Sequence, residues 1–88
     1  MNTHPATAAE FQAELDAIFK EAQHKSLSHV DVVSGDLHRR VGGYPGRNHR
    51  MPVCCRVMRH NIQTGDTVLH EPLRRNGATV KIRYKIPR

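Results

Sequence analysis

The apolar positions of this 88-residue chain follow two periods, one helical and one alternating. Phe11, Leu15, Ile18, Phe19 and Ala22 recur at spacings of four, three, one and three, with Glu14, Asp16, Lys20 and Glu21 off the stripe. That pattern predicts an amphipathic helix with a core-facing stripe. Thr7-Ala8-Ala9-Glu10 in front of it is a capping box, in which Thr7 caps a backbone N–H and Glu10 reaches back. The helix should end near His24 to Ser26. Met1 to Ala6 have little to hold them and are expected to fray. Val30, Val32 and Val33 are β-branched and dense, so Ser28 to Val33 predicts a short strand.

Ser34 next has the chemistry of an N-cap, and Asp36 falls in the first turn, where the helix dipole favours negative charge. A short helix from about Gly35 to Val41 would bury Leu37 and Val41. Gly42-Gly43 closes it, because glycine takes the left-handed cap conformation without steric cost. Tyr44 to Arg50 is a turn rich in hydrogen-bond donors, and Asn48 and His49 are expected to tie it down. Met51 precedes a proline and is biased away from helical angles, which makes it the expected N-cap and Pro52 the first helical residue. This third helix should run to about Ile62. Its expected buried side is Val53, Val57 and the row Cys54, Met58, Ile62, with Arg56, Arg59, His60 and Gln63 opposite.

Thr64-Gly65-Asp66 breaks that helix. Thr67 to Glu71 and Thr79 to Ile86 predict two strands, and Asn76-Gly77 between them is a two-residue hairpin signal. Val80, Ile82, Tyr84 and Ile86 alternate with Lys81, Arg83 and Lys85, so one face enters the core and the other is a cationic comb. Pro72 interrupts the partner strand or places it at an edge. The predicted order is helix, strand, helix, turn, helix, hairpin. That is an α+β winged helix-turn-helix, one domain over residues 7–88, with three helices, a short strand and a C-terminal β-hairpin wing. The nine-residue turn before the third helix is longer than the three or four residues of a minimal motif.

Charge adds what the periodicity lacks. Fourteen Lys and Arg face eight Asp and Glu, for a formal charge of +6. Twelve of the fourteen lie at or after Arg39, whereas five of the eight acids lie at or before Asp31. A cationic half of this kind fits a polyanion, because bound phosphates release counterions. The expected ligand is nucleic acid, duplex DNA first. Arg56 and Arg59 on the third helix would enter the major groove with His60 beside them. Arg74, Arg75 and Lys81 would meet flanking phosphates, with Arg83 and Lys85 along the wing. Arg47 and Arg50, just before the helix N-terminus, would contact phosphate as well. A single copy offers a small footprint, so a homodimer or a larger partner protein is the expected context. A protein-interaction module without a nucleic-acid ligand is the alternative.

Other chemistries are less well served. No stretch is apolar enough to span a bilayer, and the N-terminus lacks a signal peptide's order, which predicts a cytoplasmic protein with no membrane partner. Cys54 and Cys55 are adjacent and do not form a comfortable disulfide with each other. On a helix they diverge by about 100°, which disfavours a shared zinc ion with His38, His49 or His60. Cys54 is expected in the core and Cys55 at its edge. A cysteine nucleophile near His49 and Arg50 has no acid to orient the histidine, and the cationic half offers only isolated acids such as Asp66 and Glu71 to a nuclease metal. The expectation is therefore no enzyme, no metal and no cofactor.

Asp36-Leu37-His38, Val41-Gly42-Gly43-Tyr44-Pro45-Gly46, Asn48-His49-Arg50-Met51-Pro52-Val53-Cys54-Cys55 and Gly77-Ala78-Thr79 resemble an uncharacterised family of short bacterial proteins. Similar segments are appended to larger chains such as HNH-type nucleases. The resemblance spans about residues 29–88. It implies a bacterial accessory module of winged-helix type and carries over no catalytic residue.

Overall fold

A computed structural model describes residues 5–46 and 49–88. The chain is α+β, with α1 (Ala8–His24), β1 (His29–Val33), α2 (Ser34–Val41), α3 (Met51–His60), β2 (Thr67–His70) and β3 (Lys81–Lys85). The capping box forms as expected: Glu10 N–H donates to Thr7 Oγ1 at 3.2 Å, and Thr7 N–H donates to Glu10 Oε1 at 2.8 Å. At the other end Leu27 N–H reaches Ala22 O and Ser26 N–H reaches Gln23 O, both at 3.0 Å. This double bond pattern puts Ser26 at φ 58°, where glycine is usual. Ala6, expected to fray, packs against the core.

The three helices pack on one another, and a three-stranded antiparallel sheet of order β1-β3-β2 closes the core. Phe11, Leu15, Phe19 and Ala22 come from α1, Leu37 from α2, and Met51, Cys54, Cys55, Val57 and Met58 from α3. Val32, Val80, Ile82, Tyr84 and Ile86 come from the sheet and its flanks. Phe11 and Leu15 are wholly enclosed, worth about 1.5–3 kcal/mol each in burial alone. Tyr84 joins the layers, because its ring meets Phe19 edge-on and its hydroxyl donates to Met58 O at 2.8 Å. Ile62, expected in the core, lies beyond the end of α3 and is 38% exposed.

Three local expectations change. Ser34 is the first residue of α2 and not its cap; Val33 stands at the N-cap with no side-chain bond. Ser34 instead extends the sheet: its N–H donates to Val80 O at 2.8 Å and its hydroxyl to Gly77 O at 2.7 Å. Gly35 N–H continues to Ala78 O at 2.8 Å, an approach so close that a Cβ on Gly35 would lie 2.9 Å from that oxygen. These bonds also explain the second change. Carbonyls 77, 78 and 80 serve α2, so β2 and β3 are separated by residues 71–80, not by a two-residue turn. Asn76 and Gly77 end a four-residue turn in which Gly77 N–H donates to Arg74 O at 2.9 Å. Third, α3 begins at Met51 with Arg50 as N-cap, and ends at His60.

The C-terminus is locked. Arg88 pairs with Asp66 at 3.0 Å, donates to Asn61 O, and lies over the Phe19 and Tyr84 rings at 4.6 and 5.0 Å. The Asp66 side chain is fully enclosed and also accepts the N–H groups of Gln63 and Lys85.

Candidate nucleic-acid interface

The cap region of α3 is set by α2. His38 is completely buried, and its Nε2 accepts the Arg50 N–H at 2.8 Å. An imidazole accepting at Nε2 carries its proton on Nδ1, which has no partner among the described residues. Phe11 meets the ring edge-on at 4.8 Å, and Tyr44 lies 5.4 Å away. Gly42 and Gly43, at φ 112° and 84°, turn the chain here as expected. At the far end Asn61 exchanges two hydrogen bonds with Gln12 of α1, at 2.8 and 3.0 Å. Both ends of α3 are thus held by neighbouring helices, and its outward face is fixed in direction.

That face meets the loop 71–80. Pro52, Arg56, Arg59 and His60 of α3 and Arg75 and Asn76 of the loop line one open groove of about 570 Å³. A second groove of about 370 Å³ runs from Arg56 and His60 to Ala8, Ala9 and Gln12 at the start of α1. Arg56 and His60 are exposed, and Arg56, Arg74 and Arg75 have no acidic partner among the described residues. Arg59 differs. Its side chain is 20% exposed and bonds Glu71, the Arg75 carbonyl and, at 2.9 Å, Asn76 Oδ1. It braces the loop against α3 and is not free to reach a ligand.

The remaining predicted cations lie elsewhere. Ile82 and Tyr84 face the core, so Lys81, Arg83 and Lys85 point from the opposite face of the sheet, away from the helices. Arg83 sits across from Asp31 in the β1–β3 register and is paired with it at 2.8 and 3.1 Å. That guanidinium holds the Asp31 carboxyl below its usual range. Arg50 is exposed at the N-cap of α3. Arg47 and Asn48 lie outside the described residues. Four predicted residues therefore gather at one groove (Arg56, Arg59, His60 and Arg75), with Arg74 on the same loop, while Lys81 and Arg83 do not join them. Sequence reasoning missed Glu71 and Asn76, which hold Arg59, and the start of α1. Their contacts span 12 to 49 residues and follow no local period.

The cysteines serve packing. Both are fully buried, Cys55 as well as Cys54, contrary to its expected place at the edge. Cys54 donates to Ser34 O and Cys55 to Gly77 O, each at 3.5 Å. Burial pushes the Cys54 thiol up to about 12 and raises that of Cys55 too, which leaves poor nucleophiles at neutral pH. Among the described residues no three His, Cys, Asp or Glu side chains are placed to hold a metal ion. No described helix is long and apolar enough to cross a membrane. The site thus belongs to a small basic α+β domain in which Arg56, His60 and Arg75 line one groove. Comparison with protein families, curated proteins and solved structures returns no match for this chain.

Proposed function

We propose that this chain is a winged helix-turn-helix module that binds nucleic acid, duplex DNA first, as a regulatory or targeting accessory. The element order and the sheet order β1-β3-β2 support the winged-helix reading, with α3 as recognition helix and loop 71–80 as the wing. The observation that carries the reading is the groove where α3 and the loop bring Arg56, His60 and Arg75 together. Arginine can pair bidentately with a guanine edge, and a phosphate contact next to it fixes register. In this mechanism Arg56 and His60 face the major groove and Arg74 and Arg75 the adjoining backbone. Arg59 sets the distance between the two elements. Arg83 is already neutralised by Asp31 and takes no part.

Titration of labelled duplex DNA, single-stranded DNA and duplex RNA at two salt concentrations tests this. Duplex DNA should bind tightest, and log affinity should fall against log salt with a slope of about 0.9 per neutralised phosphate. A protein that ignores all three in dilute buffer would end the proposal. Docking of a protein partner is the second reading. It is favoured by a groove of about 260 Å³ between α1, β1 and α2, where Ile18, Leu27 and Val30 meet a rim of mixed charge. Affinity that barely responds to salt would favour it.

A further inference from the structure

Leu73 is the most exposed large apolar side chain of the described residues, at 108% of its reference area; Leu27 follows at 44%. Such exposure on a loose loop would mean little, but this loop is fastened. Arg59 holds Glu71, Arg75 and Asn76, and Gly77 closes a turn onto Arg74 O at 2.9 Å. Ser34 and Cys55 both donate to Gly77 O, and Gly35 to Ala78 O. Gly77 is packed so closely that a Cβ there would lie 3.1 Å from Arg74 O and 3.3 Å from Pro72 Cγ. Residues on either side are tied down, and Leu73 is left projecting with Arg74 and Arg75 next in the chain.

We propose that Leu73 is an apolar wedge that enters a base step in the minor groove of the bound duplex, next to the phosphates met by Arg74 and Arg75. The proposal rests on the nucleic-acid reading above and adds the mode of binding. On a polyanion, the faces of the bases are the apolar surface that a leucine between cations can reach once a step opens. Leucine wedges beside arginine are used in this way by proteins that kink DNA. Holding the loop in place beforehand removes the ordering entropy that would oppose insertion. An anionic membrane would also attract cations, but one side chain gives it little apolar area to hold.

The test uses the full chain and a duplex of about 25 base pairs that carries 2-aminopurine at successive positions and a donor–acceptor dye pair at its ends. Wild-type protein should raise 2-aminopurine fluorescence at one step and shorten the end-to-end distance. Leu73→Ala should abolish both signals, weaken binding about five- to tenfold, and leave the salt slope unchanged. Leu73→Met should keep both. Arg75→Ala should do the converse, lowering the salt slope while the fluorescence step survives. Since Leu73 touches no core residue, unchanged thermal melts will confirm that its variants fold. Salt-dependent duplex binding without a fluorescence step, or with one that persists in Leu73→Ala, overturns the wedge and leaves the nucleic-acid reading standing. Absence of duplex binding overturns both. Loss of binding to phosphatidylserine vesicles in Leu73→Ala, with duplex binding intact, overturns the wedge in favour of a lipid surface.

Discussion

Arginines serve opposite ends in two regions of this molecule. On the sheet and at the C-terminus they are matched: Arg83 lies against Asp31, and Arg88 is enclosed with Asp66. At α3 and loop 71–80 the acids run out. Glu71 is the one carboxylate there with a described arginine partner, and it engages Arg59. Among the described residues Arg56 and Arg75 remain unmatched at a groove, with Arg74 unmatched on the same loop. Net charge therefore says little about where a polyanion would bind; the local ratio of partners to cations says more. A comb of three basic residues on one strand looks like the strongest electrostatic feature of the sequence, yet its central member is cancelled by a residue 52 positions away.

The contrast can be broken most forcefully at the matched end. Asp66→Asn leaves an enclosed guanidinium without its counter-charge and should cost about 3 kcal/mol in urea unfolding at neutral pH. The same pair predicts an acid limb. Burial raises the Asp66 carboxyl, but the N–H groups of Lys85 and Gln63 and the Arg88 guanidinium outweigh it, and the folded value lies below the ordinary 3.8. Its stabilisation is thus complete above that ordinary value and lost as pH falls through the lowered one. Asp66→Asn should flatten that limb of the stability–pH curve.

At the unmatched end, Arg56→Ala should weaken duplex binding by about 1–3 kcal/mol and relax base preference, whereas Arg75→Ala should weaken every sequence alike. Equal losses on all sequences from both variants would make Arg56 a phosphate contact. Arg59→Ala sits between the two regimes. It should cost about 1–2 kcal/mol of stability through lost hydrogen bonds and speed amide exchange in residues 71–78. Unchanged exchange there would mean that Arg59 does not brace the loop. Smallest is Arg83→Ala, which removes an exposed, solvent-screened pair and should leave both urea unfolding and duplex affinity indistinguishable from wild type. A large affinity loss from it would erase the distinction between the regions.

Much of the fold was legible because it is written in local periods. The stripe Phe11, Leu15, Phe19 and Ala22, the capping box and the alternation of Ile82 and Tyr84 with Arg83 each lie within a few turns or strand steps. The stop of α2 at Gly42 and Gly43 was equally plain. What stayed hidden depends on which distant group meets a donor. Ser34 has the chemistry of a cap, but the carbonyls of Gly77 and Val80 reach it from 43 and 46 residues further along the chain. That diversion turned an expected hairpin into a longer loop. The end of α1 at His24 carries no glycine signal, because Ser26 takes the positive φ beyond it, and the expected boundary came from the end of the apolar stripe. For the site, residue type located α3 and the loop, whereas nothing in the sequence separated Arg59 from Arg56. The distinction appears once Glu71 and Asn76 are placed.

One consequence concerns α2, which contributes no side chain to the groove. Its first residue is pinned to Gly77 at the root of the loop, and His38, about one turn later, grips the backbone where α3 begins. A single turn of helix is therefore the spacer bar between the two jaws. Lengthening it by one residue would swing His38 round by about 100° and reset the jaw gap with every cation still present. The calliper that fixes how broad a ligand fits lies behind the surface that touches it.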